Sequence, residues 1–269
     1  MLDPDAYEIK FSLQQNGKAA LIAVTGKNGF EGSLFKTVKI DPSIQKGTDG
    51  TAFGPGASIQ AVEKAIAAMK SDADPKGTKY APLKLRNTKR AKTSITVKWT
   101  KKSGAKKYVL YGNKCGKKNK MKKIGTYTGS SKKVTKAAGK KLKKKTYYKF
   151  MVVALDKNNN VVSSSKIIHV ATKGSKKASN HTKVTVKKKV IKKAAKLTTG
   201  KKLSLKAKAV KKKGTKVRKH RVLKYESSNT KVATVTSKGT VKAVKKGTCY
   251  IYAYAQNGKA KAVKVKVIK

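Results

Sequence analysis

The chain has 269 residues, which is enough for about two domains. Its 69 lysines and arginines against 11 acidic residues give a net charge of +58, and self-repulsion on that scale opposes a compact state unless apolar cores or polyanions offset it. The longest apolar run, Cys249 to Ala255, has seven residues, so a membrane-spanning helix is excluded, and two cysteines are too few for a disulfide framework. Cys115 and Cys249 lie far apart in the sequence, and we expect both to be unpaired.

The charge changes abruptly near residue 75. Residues 1–74 hold eight lysines and nine acids, a net charge of 8 − 9 = −1, whereas residues 75–269 hold 61 basic residues and two acids, a net charge of 61 − 2 = +59. Such a break predicts a domain boundary. The N-terminus is acidic (Asp3, Asp5, Glu8), unlike the basic start of a secretory signal, so we expect either an intracellular protein or a piece of a longer one.

Residues 1–40 alternate in the manner of β-strands, with turn signals at Asn16-Gly17 and at Lys27-Asn28-Gly29. The pattern resembles the final strands of a bacterial Ig-like repeat. The residues that carry this resemblance are Gly17, Ala19, Val24, Gly26, Phe30, Gly32 and Ile40. Because the opening strands of such a repeat are missing, the resemblance implies a truncated module at the end of a longer surface protein.

Residues 41–80 are a predicted connector that is rich in Gly, Asp and Pro. Apolar residues at spacings of three and four predict one helix over about residues 58–70, with Ser58 as its N-cap. The residues of this pattern are Ile59, Val62, Ile66 and Met69. The Asp-Ala-Asp-Pro sequence from Asp72 to Pro75 is expected to end the helix. Two aspartates two positions apart could also indicate calcium, but the other ligands of an EF-hand loop are absent.

Residues 81–174 contain short alternating stretches at regular spacing, which predicts a β-sandwich. The predicted strands are Leu83–Arg86, Ser94–Trp99, Tyr108–Tyr111, Met121–Tyr127, Lys133–Val134, Tyr147–Ala154 and Ser165–Thr172. This stretch resembles the fibronectin type III family through Ile95-x-Val97-x-Trp99, Gly104-Ala-x-x-Tyr108 and the pattern of Leu142, Tyr148, Phe150, Val152 and Ala154.

The fibronectin type III resemblance implies structural roles for four residues. Trp99 would fill the core between the sheets, with Tyr108 and Leu142 as further structural positions. Tyr148, six residues after Leu142, would close a backbone turn as a tyrosine corner. Strand alternation then turns Lys149 outward.

After a linker at residues 175–182, residues 183–269 are again predicted to be all-β. Their landmarks are Val184-x-Val186, Leu203-x-Leu205, Tyr225-x-Ser227-Ser228-Asn229, Val232-Ala-Thr-Val235, Gly239-x-Val241-x-Ala243 and Gly247-Thr-x-x-Ile251. They resemble the bacterial Ig-like group 2 family, with Tyr225 in place of the commoner Trp. The fold class is therefore all-β, with tandem immunoglobulin-like β-sandwiches and a short helical connector near the N-terminus. We expect the two sandwiches to be independent. The resemblance implies a bacterial cell-surface or secreted protein whose modules act as spacers or adhesive units.

The sequence offers no catalytic pattern. His169, His181 and His220 have no metal-ligand spacing with Cys, Asp or another His. Beyond residue 75 the only carboxylates are Asp156 and Glu226, so paired general acid–base chemistry is not expected. No phosphate-binding loop or nucleophile elbow occurs. We expect no enzyme activity, no catalytic residue, no cofactor and no metal, and we expect His169 to be a solvated strand histidine.

Lysines such as Lys264 and Lys266 alternate with valines along the predicted strands. They could simply maintain solubility and keep sheet edges unpaired. They could also contact an anionic surface polymer such as wall teichoic acid, an acidic glycan, a host protein or nucleic acid. Because only four of the basic residues are arginines, direct reading of nucleic acid is disfavoured, although the charge allows contact. A third interpretation is the accessory C-terminal region of a larger secreted enzyme.

One hairpin gives a sharper candidate. A three-residue loop ending at Gly258 places Ile251 opposite Val263 inside, whereas a two-residue loop would bury a lysine. The tyrosines of the first strand then lie outside, and opposite alanines would leave two of the three rings uncovered. Such a strip could stack on sugar rings or pair with acidic groups, unless neighbouring strands cover it. The candidate ligand surface consists of Tyr250, Tyr252, Tyr254, Lys264 and Lys266.

Overall fold

The computed structural model describes residues 7–13, 19–27, 32–39 and 46–268. The chain divides into two compact units, Met1–Gln45 and Lys46–Lys269. Neither of the two helices in the described residues is long and apolar enough to cross a membrane.

The first unit contains a three-stranded antiparallel sheet. Its strands, in sheet order, are β1 (Tyr7–Leu13), β2 (Ala19–Gly26) and β3 (Ser33–Lys39). Ile9 pairs with Val24, and Val24 pairs in turn with Leu34, which is exposed. Three residues of the Ig-like pattern lie outside the described residues; they are Gly17, Phe30 and Ile40.

The first regular element of the second unit is a short helix, α1 (Ile59–Ala68), which lies within the range that the N-cap and the apolar spacing predict. The Ser58 side chain accepts a hydrogen bond from Ala61 N at 3.1 Å and caps the first turn. Val62 and Ile66, one turn apart, are buried on the same face. That face packs on the first sandwich.

The first sandwich contains the strands β4 (Arg86–Arg90), β5 (Ile95–Lys98), β6 (Lys107–Lys114), β7 (Lys122–Tyr127), β8 (Ser131–Val134), β9 (Lys136–Ala137), β10 (Lys140–Lys141), β11 (Tyr147–Leu155), β12 (Val161–Ser164) and β13 (Ile168–Ala171). One sheet has the order β4-β5-β8, and the other has the order β7-β6-β11-β12, with β13 also paired to β11. The two-residue strands β9 and β10 pair with each other and lie between β8 and β11 in the sequence.

Two predicted strands of this sandwich are wrong in their bounds. The first strand begins at Arg86 rather than spanning Leu83–Arg86, because the backbone reverses at Lys84, whose φ is +44°. Only Ile168–Ala171 of the predicted strand Ser165–Thr172 forms a strand, and Val161–Ser164 forms a separate strand that the sequence does not predict.

The core between these sheets contains Trp99, Tyr108, Leu142 and Tyr148, all buried. The Trp99 and Tyr108 rings lie 5.7 Å apart between centroids. The Tyr148 hydroxyl accepts a hydrogen bond from Lys143 N at 2.8 Å, which is the backbone contact that a tyrosine corner makes.

The outer face of the second sheet is also buried. Helix α1 and Phe53 cover a second apolar cluster on this face, so all nine residues of β11 are buried. The residues of the sheet in this cluster include Val109, Tyr111, Met151, Val153 and Leu155. Lys149 lies on this outer face, as alternation predicts, but the face is covered and Lys149 is only 3% exposed.

The second sandwich contains the sheets β15-β22-β21-β18 and β16-β20-β19 and the pair β14-β17. Its elements are β14 (His181–Thr185), α2 (Lys188–Ala194), β15 (Leu197–Thr198), β16 (Lys202–Ser204), β17 (Lys208–Lys211), β18 (Lys224–Ser227), β19 (Ala233–Val235), β20 (Thr240–Ala243), β21 (Gly247–Tyr254) and β22 (Ala260–Ile268). Helix α2 was not predicted, and it closes the core with Val190 and Ala194. Tyr225 is half-buried against Gly239, where a Cβ atom would lie 2.4 Å from the ring.

Candidate functional site

The β21–β22 hairpin has the register that the odd-length loop predicts. Ile251 pairs with Val263 and Tyr250 pairs with Lys264, so the tyrosines share the outer face of the sheet. Tyr250 is 43% exposed, and Lys264 and Lys266 are exposed on the neighbouring strand.

The other two rings are covered, which is the second of the two alternatives that the sequence leaves open. Tyr252 and Tyr254 are 8% and 7% exposed because Tyr80 lies over them. The Tyr80 ring stacks on Tyr254 with centroids 4.3 Å apart and an interplanar angle of 7°. Its hydroxyl donates to Gly258 O at 3.0 Å. Burial raises the pKa of Tyr80 and Tyr254, so both phenols are neutral. The three-ring strip therefore reduces to Tyr250 with the two lysines.

The tip of the same hairpin is inserted against the first sandwich. Asn257 is fully buried and donates to Asn87 Oδ1 at 2.7 Å, while Gln256 O accepts from His169 N at 2.7 Å. Gly258 has φ +78°, and a Cβ atom there would lie 2.0 Å from Leu85 O. The two sandwiches are therefore joined through this tip, and the expectation that they are independent is wrong.

A buried charge cluster strengthens this junction. Asp74, which was predicted only to end a helix, binds Arg221 and also accepts from Lys224 Nζ at 2.8 Å and from Ile167 N at 2.9 Å. The side chains of Asp74 and Arg221 are 6% and 9% exposed. Burial alone would raise the pKa of Asp74, but attraction and hydrogen bonds from Arg221 and Lys224 outweigh it and lower that pKa below its ordinary value.

Two further acids, Asp72 and Glu226, also link the 72–81 segment to the sandwiches. Asp72 pairs with buried Lys149 and accepts from Gly116 N at 2.9 Å. Its pKa is lowered because the contacts with Lys149 and Gly116 outweigh the effect of burial. Glu226 on β18 accepts from the backbone nitrogens of Tyr80 and Ala81, both at 2.8 Å. Residues 72–81 thus bind both sandwiches.

The lysines, in contrast, face one another on the sheet surfaces. Across antiparallel strands, cations lie directly opposite cations without an intervening acid. These pairs are Lys202 with Lys242, Lys136 with Lys141, and Arg86 with Lys98. Like charges at such positions destabilise a sheet.

Two other acids of this unit are bound within local turns. Asp49 accepts from Thr51, and Asp156 accepts from the backbone nitrogens of Asn158 and Asn160. Among the described residues of the unit, the ion pairs involve only Lys149, Arg221 and Lys224. The surface lysines are therefore left uncompensated, and they produce a strongly positive field.

The structure brings together side chains that the sequence separates. Cys115, His169 and His220 each offer a ligand atom, and these atoms lie within 4.8 Å of one another. The prediction that His169 is solvated is wrong, since it is 1% exposed. The residues are 54 and 51 positions apart, so no local spacing could indicate the cluster. Cys249 lies apart from this cluster, buried in the second core, and both cysteines are free.

Comparison with solved structures finds matches to parts of the chain. The FN5 domain of Drosophila Lar is 26% identical with a TM-score of 0.27, over 34% of this chain and 92% of that chain. The sixth fibronectin type III domain of human fibronectin type III domain containing protein 3 is 21% identical with a TM-score of 0.28, over 34% and 82%. A C-terminal 282-residue fragment of intimin, in complex with the intimin-binding domain of the translocated intimin receptor, is 17% identical with a TM-score of 0.26, over 68% and 62%.

No curated protein matches the chain. Residues 182–266 match the family model of the bacterial Ig-like domain (group 2), which is a little under a third of the chain. Together with the strand pairing described above, this match identifies an all-β, modular chain with a fibronectin type III-like sandwich followed by one similar to the bacterial Ig-like domain (group 2).

Proposed function

We propose that this chain is a non-catalytic spacer or adhesion region of a bacterial cell-surface or secreted protein, and that its lysine faces contact an anionic polymer such as a polyphosphodiester or an acidic glycan. The cross-strand cation pairs carry this proposal. The clearest cases are Lys202 opposite Lys242 and Lys136 opposite Lys141, because all four lysines are exposed. An anion placed between two such lysines would relieve their repulsion as it binds. Modules similar to the bacterial Ig-like domain are often extracellular, which supports the location.

A polymer fits the charge distribution better than a compact ligand does. The paired cations lie on different sheets of two sandwiches rather than in one pocket. Lysine ammonium groups are mobile point charges, and they select by charge density rather than by geometry. Binding should therefore be weak at each contact, additive along the polymer and sensitive to salt.

The test is binding of the full chain to polyglycerol phosphate at a series of salt concentrations. The logarithm of the affinity should fall linearly with the logarithm of salt concentration, as it does when polyelectrolyte counterions are released. An affinity that does not change with salt would reject the proposal.

Variants locate the contacts. Replacing Lys136, Lys141, Lys202 and Lys242 with Gln should weaken binding and flatten the salt dependence. A control replaces Lys117, Lys118, Lys212 and Lys213, exposed lysines outside the strands, with Gln and removes the same charge. Equal losses in the two variants would contradict a role for the strand faces.

A dedicated nucleic-acid-binding protein is the second candidate, and the net charge of +58 is the observation in its favour. It predicts that duplex DNA binds much more tightly than polyglycerol phosphate at the same salt concentration, with a salt slope of several units. Comparable affinities for the two polymers would favour the first proposal.

A further inference from the structure

Three side chains from both sandwiches converge at the junction. Cys115 follows β6, His169 lies on β13, and His220 lies between β17 and β18. The thiol sulfur and one ring nitrogen of each histidine lie within 4.8 Å of one another. Around a tetrahedral Zn²⁺, ligand atoms at bond lengths of about 2.0–2.3 Å are roughly 3.3–3.6 Å apart, so small side-chain rotations would bring these atoms into range.

The histidines have unused ligand atoms. His169 is 1% exposed, and among the residues that the structure describes neither of its ring nitrogens has a hydrogen-bond partner. His220 Nε2 is likewise buried without a partner there. Buried polar atoms are almost always paired, so an unpaired imidazole facing a thiol and a second imidazole calls for an explanation. A bound metal ion would provide the missing partner.

The protonation states suit a metal site. Burial, together with the positive charge of Arg221 and the neighbouring His220, lowers the pKa of His169 to about 3. Burial and, to a smaller extent, the positive charge of Arg218 lower the pKa of His220. Both rings are therefore neutral at physiological pH, which is the form that binds metals. Burial raises the pKa of the Cys115 thiol to about 12. Metal binding would replace its S–H bond with an S–metal bond and release one proton to solvent.

We propose that Cys115, His169 and His220 bind one Zn²⁺ ion and leave its fourth position to water or an external ligand. Thiolate and imidazole are the ligands that Zn²⁺ takes, whereas Ca²⁺ and Mg²⁺ prefer oxygen. The three residues line a surface depression together with Asp72, whose carboxylate partly offsets the nearby cations. No residue of the tyrosine or lysine candidates is involved, so this site is independent of polymer binding.

The consequence would be a cross-link between the modules. Two ligands come from the first sandwich, and the third comes from the loop between β17 and β18 of the second. Zn²⁺ would therefore stabilise the junction and raise the thermal midpoint of unfolding. Since the protein is strongly cationic, added salt should strengthen Zn²⁺ binding, which is opposite to its effect on a polyanion.

The experiment uses the reduced, chelator-treated full chain and a titration with Co²⁺, whose absorption spectrum reports thiolate ligation and tetrahedral geometry, followed by displacement with Zn²⁺. We expect one ion per chain and a thiolate charge-transfer band. Cys115→Ala and His220→Ala should each abolish the band and lower Zn²⁺ affinity by more than ~100-fold, beyond the ~10–100-fold that loss of an outer-shell partner costs.

Matched controls keep the test specific. Cys249→Ala and His181→Gln remove the other thiol and another histidine, and both should leave the Co²⁺ spectrum and the Zn²⁺ affinity unchanged. Circular dichroism of each metal-free variant checks that it is folded. Absence of a thiolate band in the wild-type protein, or a band that survives in folded Cys115→Ala or His220→Ala, would overturn the site.

Discussion

The substitution Asp74→Asn tests whether the buried charge cluster holds the two sandwiches together. It removes the negative charge that faces Arg221, which is only 9% exposed, while the amide oxygen can still accept from Ile167 N. Removing one partner of a buried ion pair leaves an uncompensated charge and costs about 3–5 kcal/mol. Lys224 adds little to this figure because it is 39% exposed and screened by solvent.

Urea denaturation at neutral pH measures the effect as a change in the free energy of unfolding. Asp156→Asn is the control, because it removes the same charge from an exposed turn in which the amide oxygen can still accept from Asn158 and Asn160. We expect the control to change stability by less than ~0.5 kcal/mol. Adding Arg221→Gln to Asp74→Asn should restore part of the loss, since it removes the unpaired charge. A loss below ~1 kcal/mol for Asp74→Asn, or no recovery in the double variant, would show that the buried charge pair does not stabilise the junction.

Three further predictions follow from the same junction. Because the folded-state pKa of Asp74 is lowered, its contribution to the free energy of unfolding is full above the ordinary carboxyl pKa of about 3.9 and is lost as the pH falls below it. The stability difference between wild type and Asp74→Asn should therefore shrink below pH ~4, and a constant difference would contradict this prediction. Tyr80→Ala should cost about 3 kcal/mol in urea denaturation because it uncovers two rings, whereas exposed Tyr250→Ala should cost less than ~1 kcal/mol, and equal costs would contradict the stacking. Gly214 has a φ of +71° and lies in open space, so Gly214→Ala should cost about 1–2 kcal/mol in thermal unfolding. Gly258→Ala should cost a further ~1–3 kcal/mol because its Cβ atom would also collide with the first sandwich. A Gly258→Ala variant no less stable than Gly214→Ala would refute the insertion of the hairpin tip.

Most of the local structure can be predicted from the periodicity of apolar residues in the strands and from the residues at the turns. The register of β21 with β22 follows from an odd-length loop, because a two-residue loop would place Lys264 opposite Ile251 and bury it. Helix α1 follows from its cap and its apolar spacing. Helix α2 was missed, although Val190 and Ala194 are four positions apart, since lysines dominate the rest of this seven-residue segment.

The junction could not be predicted because its contacts are long-range. Asp74 and Arg221 are 147 positions apart in the sequence, and the stacked rings of Tyr80 and Tyr254 are 254 − 80 = 174 positions apart. Single-sequence patterns report which face of a strand is apolar, but they do not report what packs on the other face. The outer face of β11 and two of the three tyrosines on the outer face of β21 are covered by α1 and by Tyr80, and neither contact is visible in the strand patterns.

Residues 46–268 form one compact unit in which the second sandwich is fixed to the first by the acids, Tyr80 and the hairpin tip. Residual dipolar couplings of the backbone amides in the full chain test whether this junction is rigid in solution. A single alignment tensor should fit the couplings of residues 86–171 and of residues 181–268 in the relative orientation of the structure. Two tensors of different magnitude would show that the sandwiches move separately and that the junction is not fixed.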